Sequence, residues 1–134
     1  MKKLYLILAL ILFMSCNSDD SDTSIKKSLE GKWSLVQTSG GITGSTDTPE
    51  SLNAVIYIEF SGSTLKEYSN GKLTHENTFA IKTQKSIFGE DRPMIVSDNP
   101  DKYFIPKSFK IEGNNLYLSD ECADCFGSSY TRIK

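Results

Sequence analysis

Apolar and polar residues alternate along most of this chain, which is the two-residue period of half-buried β-strands. The clearest case is the segment 54–61, where Ile56, Ile58 and Phe60 share one face and more polar residues occupy the other. We expect the face with the two isoleucines to point into the core.

Turn signals separate the alternating segments. Asn70-Gly71 supplies the two positive-φ residues that a two-residue hairpin needs, and Gly113-Asn114-Asn115 marks a second hairpin. After the first turn, alternation predicts one inward face made of Leu73, His75, Asn77, Phe79 and Ile81. Eight or nine strands are predicted, at residues 32–38, 54–61, 64–69, 72–82, 85–88, 93–97, 103–111, 116–119 and 128–133.

Two segments lack the strand pattern. Residues 39–53 are rich in Gly, Ser and Thr and predict a mobile loop. Ser24 as a cap, with Ile25 and Leu29 at helical spacing, predicts a short helical turn over residues 24–30 that flanks one end of the fold. The chain is therefore all-β, and about eight sequential antiparallel strands predict a closed up-and-down barrel that encloses side chains or one small ligand.

The N-terminus has the layout of a signal peptide. Lys2 and Lys3 precede an apolar run of eleven residues from Leu4 to Met14. As a helix this run would span roughly 17 Å, against a hydrocarbon core of about 30 Å, so it is too short for a permanent membrane span. We expect residues 1–15 to be a leader that is removed on export.

The end of the leader indicates how it is removed. Phe13-Met14-Ser15-Cys16 resembles the lipobox of bacterial lipoproteins, which implies lipidation of Cys16 and attachment to a membrane. Residues 16–24 are acidic and predict a flexible tether. An acidic run behind the lipidated cysteine resembles a signal for the outer face of the outer membrane. The alternatives are a solvated linker on a periplasm-facing lipoprotein, and an ordinary signal peptide that ends near a cysteine.

The rest of the chain, residues 25–134, carries a second resemblance. Leu29-Glu30-Gly31-Lys32-Trp33 resembles the opening of lipocalin-like domains, where Gly-x-Trp begins the first strand, and residues 130–134 resemble their closing strand. The resemblance implies that Arg132 lies across Trp33 and seals the closed end of a barrel. The alternative is a core aromatic and a solvated cation in another β-sandwich.

The net charge and the cysteine pair limit the kinds of ligand and site that we expect. Loss of two lysines with the leader changes the formal net charge from −2 to −4, and no basic cluster favours nucleic acid. Cys122 and Cys125 form a C-x-x-C pair that could be redox-active, bind metal or close a disulfide. The pair leads into a strand rather than a helix, and a structural zinc site needs about four ligands, so a disulfide is favoured. The acidic residues beside it favour a solvated turn over a calcium site.

No catalytic constellation is visible, because the single histidine, His75, has no recognisable partner, and no cofactor motif occurs. We expect a binding protein and not an enzyme. The leading hypothesis is a barrel that takes a small apolar or amphipathic ligand, with contacts from His75, Asn77, Ile56, Ile58 and Phe60. The alternative is an envelope interaction or inhibitor module with a filled barrel, which contacts a protein or glycan through loops and tyrosines such as Tyr57 or Tyr117.

Overall fold

A computed structural model describes residues 19–99 and 101–134, and its main feature is a closed antiparallel β-barrel with eight wall strands. This confirms the all-β barrel predicted from the alternation. The described strands are β1 (Gly31–Gly40), β2 (Ser45–Asp47), β3 (Ile56–Ser61), β4 (Thr64–Ser69), β5 (Lys72–Lys85), β6 (Asp91–Ser97), β7 (Lys107–Glu112), β8 (Asn115–Asp120) and β9 (Phe126–Arg132).

The barrel closes because its first and last strands pair. Strand β1 pairs with β9 from Trp33 opposite Arg132 to Gly40 opposite Phe126. The other wall strands pair with their neighbours in the chain, and the short β2 adds to β1 at its Gly40 end. Closure therefore gives every wall strand a paired neighbour on each side.

The predicted Asn70-Gly71 hairpin is confirmed. Both residues have positive φ, 51° and 77°, and they join β4 to β5 as a two-residue turn. The turn from β7 to β8 likewise contains Gly113 at φ 60°. Such φ values fit the right-handed twist of the flanking strands.

Helix α1 spans Asp19–Leu29 and lies at the Gly31 end of the barrel, which is called the plugged end below. It starts before the predicted Ser24, so the prediction of a flexible tether up to residue 24 is wrong over the part that the helix covers. Lys26 and Lys27 in the last turn complement the helix dipole.

The segment 39–53 is more regular than the predicted mobile loop. It contains the end of β1, strand β2 and a one-turn helix, α2 (Pro49–Leu52). The side chains of Thr48 and Ser51 form a reciprocal capping box, and Pro49 begins the helix. These local signals explain why the chain turns here in a defined way.

Two strand predictions in the second half are also wrong in extent. Residues 86–90 form the turn between β5 and β6 and not a strand, with the Ser86 N–H bonded to the Glu90 carbonyl at 3.0 Å. Strand β7 begins at Lys107, whereas the pattern predicted residues 103–111. Apolar residues in the connection before it, such as Phe104, pack against the core and imitate a strand pattern.

Most of the interior is one hydrophobic cluster that runs from helix α1 into the barrel. Ile58 and Phe60 belong to it, as the alternation of β3 predicted. Its buried members are Leu29, Trp33, Ile58, Phe60, Leu65, Phe79, Ile81, Ile95, Phe109, Leu116 and Leu118. Fully burying one such side chain contributes about 1.5–3 kcal/mol, so this cluster is the main source of stability.

The inward face predicted for β5 holds only in part. Phe79 and Ile81 are buried, but Leu73 is exposed. A bulge at Thr74 shifts the register, so Leu73 lies opposite Tyr68. The extra residue places Leu73, which precedes the bulge, on the opposite face from Phe79 and Ile81, which follow it, and uninterrupted alternation cannot show this.

Candidate functional site

The plugged end is sealed by Arg132. Its guanidinium lies 4.0 Å from the centre of the Trp33 ring, and it donates hydrogen bonds to the carbonyls of Glu30 at 2.7 Å and Ser28 at 2.8 Å. The Trp33 indole N–H donates to the Leu29 carbonyl at 2.8 Å. The structure thus brings together the two residues that the resemblance pairs, and it ties the last strand to the end of helix α1.

The five residues expected to contact a ligand do not share one environment. Ile58 and Phe60 are 4% and 1% exposed and pack inside the core. Ile56 and Asn77 are half-buried. The His75 side chain is 69% exposed, and its Nδ1 lies 3.7 Å from a carboxylate oxygen of Glu67.

Polar groups occupy the inner face toward the other end of the barrel, at Gly40 and Phe126, which is called the far end. The Lys107 ammonium nitrogen lies 2.5 Å from a carboxylate oxygen of Asp120. On neighbouring strands, Lys107 lies opposite Asp120 on one side and opposite the fully buried Ile95 on the other. Glu67 lies opposite the buried Ile58 and therefore also faces inward. Directly opposed residues share a face of the sheet, so charged side chains close the interior above the apolar core.

Tyr130 lies between the apolar core and this polar layer. Burial raises its pKa to about 12, with further contributions from the negative charges of Glu67 and Asp120. Its hydroxyl is therefore a neutral hydrogen-bonding group under ordinary conditions, not a base or a nucleophile.

The C-x-x-C pair forms a disulfide, as predicted, with its two Cα atoms 5.6 Å apart. The bond closes the loop between β8 and β9, and the Gly41 N–H donates to the Cys125 carbonyl. Gly40 packs so tightly here that a Cβ atom would lie 2.2 Å from the same carbonyl oxygen. Only glycine fits at that point, because its φ is also +143°.

Glu121 connects this loop to the turn between β5 and β6. Its carboxylate accepts from the Ser86 hydroxyl at 2.9 Å and from the Ile87 N–H at 2.8 Å. Burial acts to raise the pKa of Glu121, but hydrogen bonds from Ser108, Ile87 and Ser86 and the charge of Arg92 outweigh it, so the pKa is lowered. The acidic turn therefore connects two loops through Glu121. The sequence analysis predicted only a solvated turn here and did not identify this connection.

Two grooves lie on the outside near this connection. The loop-end groove, about 360 Å³, is lined by the disulfide loop together with Ile87, Phe88 and Phe126, which are each about half exposed. The hairpin groove, about 510 Å³, lies between the β5–β6 hairpin and the outer face of β7 and β8. Its lining is Glu90, Asp91, Arg92, Ser108, Phe109, Lys110, Tyr117 and Ser119.

Among the residues of these grooves, the sequence analysis proposed only Tyr117 as a partner contact, and it assigned Cys122 and Cys125 to a disulfide. The signal for the others was weak, since Phe88 fell in a predicted strand and Arg92 next to one. Tyr57, the other tyrosine proposed as a contact, stacks on Tyr68 with ring centres 4.5 Å apart, and Lys32 lies over it. Its ring faces are therefore already occupied.

Cys16 and the leader lie outside the described residues. Within residues 19–99 and 101–134, no helix combines the length and apolar character needed to cross a membrane. The same part of the chain contains no group of three or more His, Cys, Asp or Glu side chains placed to hold a metal ion.

No family model, curated protein or solved structure matches the chain.

Proposed function

We propose that this chain is an exported protein, anchored by lipid on Cys16 to the outer membrane, whose lipocalin-like barrel is a filled scaffold for an interaction module. On this proposal the outer grooves and loops contact the partner, and the barrel interior serves stability. The leader and lipobox pattern at residues 1–16 supports the export and the anchor.

The filled interior carries the proposal. Leu29 closes the plugged end from below, and Trp33, Phe60 and Phe79 are all almost fully buried within the cluster above it. Tyr130 packs against the same cluster on the side of the far end. A carrier for an apolar molecule needs a concave apolar site that covers most of its ligand, and here the protein's own side chains occupy that space.

Exposed apolar residues on the outside of the barrel support a partner-binding role for the grooves. Ile87, Phe88 and Phe126 line one groove, and the disulfide and the Glu121 hydrogen bonds hold the two loops that present them. Exposed aromatic side chains on rigid elements are frequent anchors of protein interfaces.

Native mass spectrometry of the full-length protein extracted from its membrane tests the filled barrel. We expect the mass of the lipidated chain alone, and no change in Trp33 fluorescence on addition of fatty acids or the dye 1-anilinonaphthalene-8-sulfonate. A retained small molecule that leaves on unfolding would instead support the carrier hypothesis and overturn this one.

The anchor and the interaction have separate tests. A Cys16→Ser variant should move from the membrane fraction to the soluble fraction, and protease added to intact cells should digest the wild-type domain if it is displayed on the surface. A photoreactive phenylalanine at Phe88 should give an adduct of defined mass, whereas the same group at Tyr103, which is exposed outside both grooves, should not.

A further inference from the structure

We infer that the hairpin groove is a binding site for a neutral saccharide. This deepens the proposed function, on which it rests, by naming the chemical class of a partner at the envelope. The inference comes from the shape of the groove, the rigidity of its walls and the balance of its charges.

The groove exists because strands β6 and β7 separate early. They pair only at Met94 with Ser108 and at Ile95 with Lys107, whereas β5 and β6 stay paired as far as Lys85 and Asp91. The end of the β5–β6 hairpin therefore leaves the barrel wall and stands beside the outer face of β7. The space between them is about 510 Å³, within the range of small-molecule sites.

The hairpin wall is fixed in place. Glu121 binds Ser86 and the Ile87 N–H, and the Ser86 hydroxyl in turn accepts from the Phe88 N–H at 3.1 Å. The Arg92 guanidinium lies 5.4 Å from the Phe88 ring centre and bonds to the Glu90 carboxylate at 2.9 Å. A site held in this way does not lose much entropy when a ligand binds.

The floor of the groove offers the aromatic ring of Tyr117 beside Ser119, whereas Ser108 is only 2% exposed and its hydroxyl donates to the Ser119 carbonyl. Lys110 lies opposite Tyr117 and Ser108 opposite Ser119, so all four side chains share the outer face of β7 and β8. Tyr117 is 40% exposed, which leaves ring surface free for the C–H groups of a sugar. An aromatic side chain combines apolar contact area with a polar tip, which suits an amphipathic ligand of this kind.

The charges select against other ligand classes. Two acidic residues, Glu90 and Asp91, balance two basic ones, Arg92 and Lys110, so the lining has no net charge to attract phosphate. The same charged and hydroxyl groups make the groove too polar for a lipid chain. Glu90 and Arg92 are bonded to each other, but Asp91 is exposed, and a carboxylate can accept from two neighbouring hydroxyls of a neutral polyhydroxylated molecule.

Nuclear magnetic resonance of the ¹⁵N-labelled full-length protein, in a detergent without a sugar headgroup, tests the inference. The probes are maltose, cellobiose, lactose and diacetylchitobiose, each added to about 10 mM, which would saturate a site with a dissociation constant of about 1 mM. We expect at least one of them to shift the amide signals of Ser108, Lys110, Tyr117 and Ser119.

Matched tyrosine variants separate the groove from general surface binding. Tyr117→Ala should weaken binding at least about tenfold, whereas Tyr103→Ala, which removes an exposed ring outside the groove, should leave it unchanged. Thermal unfolding of both variants checks that each folds. Equal binding by the two variants would overturn the inference.

The signal of the single tryptophan separates failure of this inference from failure of the proposed function. Trp33 is fully buried in the interior, so its indole N–H reports on binding inside the barrel. Absence of shifts with all four saccharides overturns the groove site and leaves the filled barrel standing. Shifts centred on the Trp33 indole N–H overturn both.

Discussion

Replacing Arg132 with alanine removes the group that joins the last strand to helix α1. Arg132 stacks on Trp33 at 4.0 Å and donates hydrogen bonds to the carbonyls of Ser28 and Glu30. Carbonyls at the end of a helix have no partner within the helix. The variant therefore exposes two acceptors to water and uncovers one face of the indole.

The expected loss of stability follows from these contacts. A cation stacked on tryptophan at a partly exposed site contributes about 1 kcal/mol. Hydrogen bonds from a charged donor contribute about 1.5–3 kcal/mol when shielded, and about 1 kcal/mol each is reasonable for the two exposed ones here. The sum is about 3 kcal/mol, which should lower the melting temperature by roughly 12 °C in a domain of this size.

Urea unfolding followed by the fluorescence of Trp33 measures this loss, because Trp33 is the only tryptophan. Arg132→Lys keeps the charge but lacks the planar fork that reaches both carbonyls, so it should recover only part of the loss. Lys110→Ala is the control: its ion pair with Glu112 is largely exposed and should contribute at most about 0.5 kcal/mol. If Arg132→Ala lost no more stability than this control, the seal would have no energetic role.

Three further predictions concern the far end and its loops. Gly40→Ala should destabilise the protein by more than about 2 kcal/mol, since its Cβ would clash with Cys125, whereas Gly44→Ala, with open space around it, should lose only about 1 kcal/mol in the same urea assay. Tyr130 has a folded-state pKa of about 12, above the ordinary 10.0, so its contribution to stability is complete below pH 10 and is lost as pH rises toward 12; Tyr130→Phe should flatten that part of a stability profile. Glu121 has a pKa lowered from 4.5, so its contribution is complete above that pH and is lost as pH falls through the folded value; thermal melts of Glu121→Gln should show a shallower acid dependence than the wild type.

Much of the fold was predictable because its signals are local. The Asn70-Gly71 turn requires two residues that tolerate positive φ, and the sequence supplies them at one point. The buried face of Ile58 and Phe60 follows from a period of two residues. Regular alternation between turns was sufficient to predict an antiparallel barrel.

The extents of several elements were less predictable, because short capping signals and tertiary contacts compete with composition. A stretch rich in Gly, Ser and Thr indicated a mobile loop, although Thr48 and Ser51 cap a helix there. Apolar residues such as Phe104 indicated a strand, although Phe104 packs on the core from a connection.

The sequence by itself determined that this chain alternates into strands and turns at defined glycines, whereas the leader and the lipobox pattern before Cys16 stay predictions. Only the tertiary structure decided which apolar side chains form the buried cluster, that Glu121 binds the β5–β6 turn and that the hairpin groove opens beside Tyr117. The physical reason is that these features depend on which strands pair and where they separate. Contacts between distant segments set the bulge at Thr74 and the early end of the β6–β7 pairing. The alternation of residues along one strand does not change with the presence of a bulge or the length of a pairing, so it cannot predict either feature.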